Sequence, residues 1–169
     1  MEDKIVYQYL LGLGSNLGYR KNNLERAINE LSQILFDIKQ SSLYESEAML
    51  TKNAPKGWDM HYLNMCLTGC SSLKPTDIFP IFQKIEEKIG KGIHNKRWSP
   101  RSIDIDILLV DSLLIKQDNL QIPHPAMLLR DFVLIPAIEI WPDAKHPETG
   151  EVLKNIKPKI ITNTKKYAD

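Results

Sequence analysis

Hydrophobic and polar residues alternate along the chain in short blocks, and the period of the alternation changes from block to block. A period of two, which places successive side chains on opposite faces of a strand, predicts strands at residues 5–11, 38–46, 61–71 and 103–110. Apolar residues at helical spacing predict one helix that ends near residue 35 and a second over residues 76–89. A short return strand at residues 113–116 and two helical patterns broken by Pro125 and Pro136 follow.

Three segments interrupt these blocks. The sequence GLGSNLG predicts a tight strand-to-helix turn in which Ser15 or Asn16 caps the first helix, and it lacks the spacing of a phosphate-binding glycine loop. Pro80 has no amide proton, so the second helix either begins near Asp77 or bends at Pro80. Residues 47–60 keep neither period and form a long loop of the kind that often closes over a site.

The order strand, helix, strand, strand, helix, strand indicates an α+β fold. We predict a ferredoxin-like split βαβ sandwich, in which helices pack on one face of an antiparallel sheet. The 169 residues suffice for one globular domain with a single core. We assign residues 1–160 to that domain and residues 161–169, which are weakly patterned, to a C-terminal tail.

The composition of the chain limits its partners. Lys and Arg total 22 against 21 Asp and Glu, so no overall field would hold nucleic acid or an anionic membrane. No apolar run reaches the length of a membrane span, and the first residues lack the pattern of a signal peptide. Cys66 and Cys70 are too far apart on a strand to form a disulfide. We therefore expect a cytoplasmic protein with reduced thiols that binds anions only through local charge.

Two carboxylates lie in the fourth predicted strand, in the sequence SIDIDILLV. Asp104 and Asp106 point to the same face, while the isoleucines between and beside them point to the core. The two α-carbons would lie about 6–7 Å apart, so the carboxylates repel unless water or a cation lies between them. Such a pair suits magnesium, which binds through one or two carboxylates together with substrate phosphates, and two ions could be shared. A solvated strand face is the alternative, although aspartate is disfavoured in strands.

The loop before this strand is basic. Residues 91–101 contain no acid and carry Lys91, His94, Lys96, Arg97 and Arg101. Positive charge beside a candidate metal site fits a polyphosphate, whose oxygens are held by metal on one side and by arginine and lysine on the other. A solvated loop is the alternative. Trp98 in the same loop either stacks on a flat ring or anchors the loop.

Three further side chains are candidates for a binding site. Tyr62 and Asn64 share one face of the third strand, where the asparagine amide offers a donor and an acceptor to a planar heterocycle. Ordinary cross-strand contacts explain these two residues equally well. His124, in the sequence PHP, is either a phosphate ligand or a loop histidine whose ring bonds to the backbone.

Together these segments resemble the 6-hydroxymethyl-7,8-dihydropterin pyrophosphokinase family of folate biosynthesis. The matching pieces span about residues 5–142 in order and are LGLGSNLG, LYESE, YLNMC, QKIEEKIGK, RWSPRSIDIDILL and IPHPAMLLRDFVLIPAIEI. The resemblance implies a single pyrophosphokinase domain of ferredoxin-like fold that transfers pyrophosphate from ATP, as co-substrate, to the pterin hydroxymethyl with two magnesium ions. It also implies a monomer, or a unit fused to or associated with dihydropteroate synthase.

The resemblance further implies a role for each matching residue. Asp104 and Asp106 would hold both magnesium ions, and Arg101 and Lys91 would complete the catalytic set. The ATP site would comprise Gln83, Glu86, Arg97, Trp98, Arg101, Ile107 and His124. The pterin site would comprise Ser46, Tyr62, Asn64, Trp98, Arg130 and Phe132.

This chain departs from the family pattern at two places. Lys91 stands where many members carry a catalytic arginine, and lysine lacks the two-pronged guanidinium. Glu47 and Ala48 replace the proline-bearing sequence that is usual after the second strand.

Two other functions compete on chemistry alone. A metal-dependent sugar-nucleotide transferase also uses an Asp-x-Asp pair, but it requires a larger nucleotide-binding domain than this chain offers. A nucleic-acid-binding module on a ferredoxin-like sheet should show stacked aromatics and a basic face. The exposed strand face here carries acids instead, and the net charge is +1.

Overall fold

The computed structural model describes residues 2–90 and 96–169. Its elements, in chain order, are β1 (Tyr7–Ser15), α1 (Arg20–Leu31), β2 (Phe36–Gln40), β3 (Tyr44–Ser46), β4 (Tyr62–Ser71), α2 (Pro75–Ile89), β5 (Asp104–Val110), β6 (Ile115–Gln117), β7 (Leu120–Ile122), α3 (Asp131–Ile140) and β8 (Lys165–Lys166). A 3-10 turn covers Leu153–Asn155. Lys91 and His94 of the basic loop lie outside the described residues. Within those residues no helix has both the length and the apolar character needed to cross a membrane.

One antiparallel sheet forms the centre of the protein. Its strands are ordered β5-β1-β4-β3-β8, and β2 also pairs with β4. β6 and β7 form a separate hairpin. The predicted α+β fold with an antiparallel sheet is confirmed, and the strand that carries both candidate aspartates forms one edge of the sheet.

Helices cover both faces of this sheet. Leu11 and Leu13 of β1 belong to the cluster that packs under α1 and α2, whereas Leu10 belongs to the cluster under α3. The prediction of helices on one face is therefore wrong. The physical reason is that β1 buries Leu10 and Leu11 completely on its two opposite faces, so each face requires an apolar cover.

In the first half of the chain, several strand and helix boundaries differ from the predicted ones. β1 continues to Ser15 because the glycine-containing stretch pairs with both β4 and β5, so the predicted turn begins too early. α1 follows at Arg20 and has no side-chain cap, so the predicted caps Ser15 and Asn16 are wrong. The predicted strand at residues 38–46 is two short strands, because Ser41 leaves the regular ladder and bonds to Cys66 through its backbone and hydroxyl.

In the second half of the chain, several element boundaries also differ from the predicted ones. α2 begins at Pro75, where the missing amide proton costs nothing, and it continues through Pro80, so a start near Asp77 is wrong. The predicted return strand lies slightly later, as β6, and pairs with β7. Of the two predicted C-terminal helical patterns only α3 forms a helix, and it includes Pro136.

The C-terminal residues pack on the sheet. β8 pairs with β3, and Tyr167 contacts the core cluster that lies under α1 and α2. Lys21 and Asp169 form an exposed ion pair across 2.6 Å. The last residues thus extend the sheet on the side opposite β5.

Candidate active site

A cavity of about 310 Å³ opens on the α3 face of the sheet. Its floor follows from the strand register, because residues directly opposite one another on neighbouring strands share a face. Gly12 lies opposite Asp106 and Gly14 opposite Asp104, and Asn64 faces Gly14 from the other side. The two glycines carry no side chain, which lets Leu108, Asn64 and Tyr62 lie close over β1 in the floor of the cavity.

Most of the predicted site residues line this cavity. They are Ser46, Tyr62, Asn64, Arg97, Trp98, Arg101, Asp104, Asp106, His124, Arg130 and Phe132. Gln83 is exposed on α2, and Ile107 is buried in the core under α1 and α2, so neither lies on the cavity wall. The structure thus brings together side chains from strands, loops and the start of α3 that are far apart in the sequence.

The pKa values of both aspartates are raised above their usual range. Burial and the neighbouring Asp106 raise the pKa of Asp104 to about 6, while Arg101 opposes the shift through a contact of 3.3 Å between its Nη1 and Asp104 Oδ1. Burial also raises the pKa of Asp106, against the favourable charges of Arg130 and Arg101. A bound cation would relieve this repulsion.

The same pair matches the ligand chemistry of magnesium. Among the residues that the structure describes, no group of three or more His, Cys, Asp or Glu side chains could hold a metal by itself. Magnesium usually takes one or two carboxylates and completes its shell with water and substrate phosphates. Asp104 and Asp106 fit that partial donor set, which leaves the remaining positions for a phosphorylated ligand.

Aromatic rings and guanidinium groups form the wall opposite the floor. The Arg97 guanidinium lies 5.0 Å and that of Arg130 5.7 Å from the Trp98 ring centroid, and Arg130 lies 5.7 Å from the Phe132 ring. Trp98 has a φ of 69°, a left-handed conformation that is costly for a bulky residue. In the part of the chain that the structure describes, the buried Arg130 Nε has no hydrogen-bond acceptor. This wall therefore offers planar surfaces and an unused donor to a ligand.

His124 is arranged as a neutral hydrogen-bond donor. Its Nδ1 accepts the backbone amide of Ala126 at 3.2 Å, so the proton of the neutral ring is on Nε2. Burial and the nearby Arg130 lower the pKa of His124 to about 4. The imidazole is therefore uncharged near neutral pH and can donate from Nε2 to an anionic oxygen.

On the β3–β4 side of the cavity, Asn64 and Tyr62 present polar, uncharged groups beside Glu47. Asn64 donates its amide to Ser46 Oγ at 2.8 Å, which fixes the plane of the amide beside Gly14. Burial, together with Asp104, raises the pKa of Tyr62, so its phenol stays protonated. Such a surface suits the edge of a neutral heterocycle rather than a phosphate.

Sequence reasoning missed Asn16 as a residue that orders the site. Asn16 is 2% exposed, and its backbone amide donates to the Arg101 carbonyl at 3.0 Å while its Oδ1 accepts the Arg101 amide at 2.8 Å. Its Nδ2 donates to the Met60 carbonyl at 3.1 Å. One side chain thus joins the end of β1 to the basic loop and to the end of the 47–60 loop.

Glu86, on α2, accepts a hydrogen bond from the backbone of the edge strand β5. Its Oε1 accepts the Ile105 amide at 2.7 Å, in the middle of the Asp104–Asp106 stretch and on the open side of β5. Burial, together with the charges of Asp104 and Asp106, raises the pKa of Glu86 to about 7, despite the Ile105 hydrogen bond. Glu86 supports the strand of the aspartates without lining the cavity.

Comparison with known proteins identifies a family that this chain resembles over most of its length. A family model described as 7,8-dihydro-6-hydroxymethylpterin-pyrophosphokinase matches residues 10–142. The 2-amino-4-hydroxy-6-hydroxymethyldihydropteridine pyrophosphokinase of Aquifex aeolicus is 38% identical over 148 residues, which are 88% of this chain and 89% of the relative. A folate synthesis bifunctional protein of Chlamydia caviae is 35% identical over 125 residues, 73% of this chain but only 28% of the relative.

Solved structures show the same fold. The wild-type HPPK-DHPS of Plasmodium falciparum aligns with 91% of this chain at a TM-score of 0.65 and 16% identity. At that identity the likeness supports the ferredoxin-like fold alone, which confirms the predicted fold class. This chain spans 44% of the Plasmodium chain.

Gly14 provides a test of the cavity floor. An alanine Cβ at position 14 would lie 3.2 Å from Asn64 Oδ1 and 3.4 Å from Tyr62 Cδ1. We expect Gly14→Ala to lower the free energy of unfolding by about 1–2 kcal/mol, because Asn64 must move away from Ser46. Gly12→Ala is the matched control, since its Cβ would meet only the flexible Leu108 side chain at 3.4 Å. Equal losses for both variants in urea titrations would contradict this account.

Glu86 provides a test of buried charge. The raised pKa of Glu86 means that the folded protein binds this proton more tightly than the unfolded chain between pH 4.5 and about 7. The ionised carboxylate thus reduces stability above about pH 7, and the cost disappears below pH 4.5. Glu86→Gln keeps an acceptor for Ile105, so we expect it to exceed the wild type by about 1–2 kcal/mol at pH 8 and to equal it at pH 4.5.

Urea unfolding at several pH values, with chelator and without ligands, measures this difference. The exposed neighbour Glu87 provides the control, because Glu87→Gln removes the same charge from the surface of the same helix. If the difference in free energy of unfolding between Glu86→Gln and the wild type did not change with pH, the pKa of Glu86 would not be raised and this account would be wrong.

Proposed function

The chain belongs to the 7,8-dihydro-6-hydroxymethylpterin-pyrophosphokinase family, and we propose that it takes the pyrophosphoryl group from ATP with the help of two magnesium ions. Membership establishes pyrophosphate transfer to hydroxymethyldihydropterin in folate biosynthesis. The donor, the metal and the roles of individual residues are our proposal.

The observation that carries the proposal is the division of the cavity into two chemical halves. Acids and arginines gather at β5 and the basic loop, where Asp104, Asp106 and Arg101 suit a metal-bound polyphosphate. The half at β3 and β4, which also includes Glu47, presents the uncharged Asn64 and Tyr62 to a planar heterocycle. We therefore assign the first half to the ATP phosphates and the second half to the pterin.

In the proposed reaction the pterin hydroxyl attacks the β-phosphorus of ATP in line and AMP leaves. Magnesium held by Asp104 and Asp106 would supply charge neutralisation for the phosphates. Arg101 and Arg97 balance negative charge that shifts toward the leaving group, and His124 donates a hydrogen bond to a phosphate oxygen. Phe132 and Trp98 hold the flat ring, so that the rate gain comes mainly from positioning and charge.

The remaining assignments follow the family pattern. Lys91 would replace the usual catalytic arginine as a single charge. Gln83 would contact ATP from α2 outside the cavity, whereas the Ile107 side chain is buried in the core and is not available to a ligand. Glu86 would act on the nucleotide through the strand that carries the aspartates. The loops at residues 47–60 and 91–101 would close over the substrates to exclude water, which competes as a nucleophile.

Two wider expectations are also proposals. Association with dihydropteroate synthase is suggested by relatives that are bifunctional folate synthesis proteins. The cytoplasm is the compartment that we propose for the reaction.

The direct test of the proposed function is AMP release from ATP in the presence of hydroxymethyl dihydropterin. We expect AMP to form only when the pterin and magnesium are both present. Titration with a nonhydrolysable ATP analogue separates metal-dependent binding from charge attraction, because tight binding should require magnesium. Tight binding of the analogue in chelator, or release of ADP instead of AMP, would contradict the proposed chemistry.

Asp106 gives the sharpest variant test. Asp106→Asn keeps the size of the side chain but weakens its affinity for a cation, so we expect AMP release to fall about 100-fold or more. The matched control is Asp111→Asn on the residue that follows the same strand. Asp111 has a φ of 47°, which asparagine tolerates, and it does not line the cavity. We expect that control to retain activity within about twofold of the wild type.

Magnesium titrations complete the comparison. We expect Asp104→Asn and Asp106→Asn to require more magnesium for half-maximal activity, while Asp111→Asn requires the same concentration as the wild type. Near-normal turnover in either of the first two variants would remove that residue from the metal site.

A further inference from the structure

Residues 160–164, which we call the C-terminal strap, contact two separate walls of the cavity. The family match ends at residue 142, so the family pattern does not include the strap. Its first contact is with the segment that leads into α3. Ile160 donates its amide to the Leu129 carbonyl at 2.7 Å, and its carbonyl accepts the Asp131 amide at 3.1 Å. Arg130 and Ile160 pair as a parallel bridge.

Asp131 fastens the strap to this wall. The residue is 3% exposed, and its Oδ1 accepts the Thr162 hydroxyl at 2.6 Å while its Oδ2 accepts the Thr162 amide at 2.9 Å. The Thr164 amide adds a longer bond of 3.3 Å, and the Phe132 amide donates to Oδ1 at 2.8 Å. A buried carboxylate with this many donors is strongly bound, because removal of any partner leaves charge unsatisfied.

The other side of the strap holds the start of the 47–60 loop. The Glu47 amide donates to the Thr162 carbonyl at 2.9 Å, and Asn163 Nδ2 donates to Glu47 Oε1 at 2.8 Å. Asn163 has a φ of 52°, which turns its side chain toward this loop. Glu47 lines the cavity, and its neighbour Ser46 is the residue that orients Asn64.

We propose that the C-terminal strap is a positioning element that sets the distance between Phe132 and the Ser46–Asn64 pair, and thereby shapes the pterin half of the cavity. Asp131, Thr162 and Asn163 do not line the cavity, so they act through the residues that do. The inference rests on the proposed assignment of this half of the cavity to the pterin. Weakening the strap should let the two walls separate and should leave the phosphate half, at β5, in place.

Thr162→Val tests this link with a nearly isosteric change. Valine removes the hydroxyl that Asp131 accepts but keeps the backbone bonds, while Thr162→Ser should restore the hydroxyl and rescue binding. Asn163→Gly removes the bond to Glu47 and still permits the positive φ. Ile161→Val is the control within the strap, because Ile161 is 62% exposed. The Thr164 hydroxyl lies 3.3 Å from that of Thr162, so position 164 is unsuitable as a control.

Ligand binding gives the first readout. We expect Thr162→Val and Asn163→Gly each to weaken binding of hydroxymethyl dihydropterin three- to tenfold in fluorescence titrations, with binding of the magnesium–ATP analogue within twofold of the wild type. Thr162→Ser and Ile161→Val should bind both ligands as the wild type does. Equal weakening of both ligands, or unchanged binding of the pterin, would overturn the proposal.

Hydrogen exchange gives a second readout that requires no ligand. We expect the two strap variants to exchange faster at residues 46–49 and 129–133, with β1 and β4 as protected as in the wild type. Faster exchange throughout the sheet would indicate general loss of stability and would contradict a positioning role. If the wild-type protein failed to bind the pterin, the proposed function would fail, whereas the exchange pattern would still decide whether the strap holds both walls.

Discussion

The site depends on two like charges held side by side on an edge strand, with Asp104 half-buried and Asp106 exposed toward the cavity. Asp104 and Asp106 share a face because strand side chains alternate, and the β1 register places glycine opposite each of them. The two glycines are covered by Leu108, Asn64 and Tyr62 and provide no counter-charge within β1. The protein keeps this arrangement because Arg101 and Arg130 neutralise part of the charge from outside the sheet. A bound cation can balance the remaining negative charge.

The supports of this arrangement come from outside the cavity. Asn16 fixes the backbone of Arg101, and Glu86 holds the amide between the two aspartates from the open side of β5. Asp131 performs a similar task at the start of α3. Each support is a polar side chain that bonds to backbone, buried at Asn16 and Asp131 and half-buried at Glu86. The cavity residues are thus held by groups that need not touch a ligand. α3 covers only part of its face, and the cavity occupies the uncovered part.

Local patterns predict the antiparallel α+β fold and several cavity residues, whereas Ser46, Arg130 and Phe132 are predicted only by the family resemblance. The Asp-x-Asp pair, the basic loop and the PHP sequence each carry their chemistry within a few residues. The glycines of β1 were assigned to a turn, although the alternation of leucine and glycine at residues 11–14 has the period of a strand and was the available signal. The adjacent leucines Leu10 and Leu11 indicate that both faces of β1 need an apolar cover. The pattern of β1 does not show which helix covers which face. Asn16 and Asp131 act on residues that are distant in sequence, so the chain alone gave no sign of their partners.

The strap is synthesised after the motif residues that line the cavity. Every motif residue of the cavity has been translated once the ribosome passes residue 142, yet the contacts from Thr162 to Asp131 and to Glu47 do not exist until about twenty further residues have been added and have cleared the exit tunnel. A nascent chain of that intermediate length would contain the complete set of reactive groups with one wall still unfastened. The strap can therefore fasten this wall only after the other cavity residues have been synthesised.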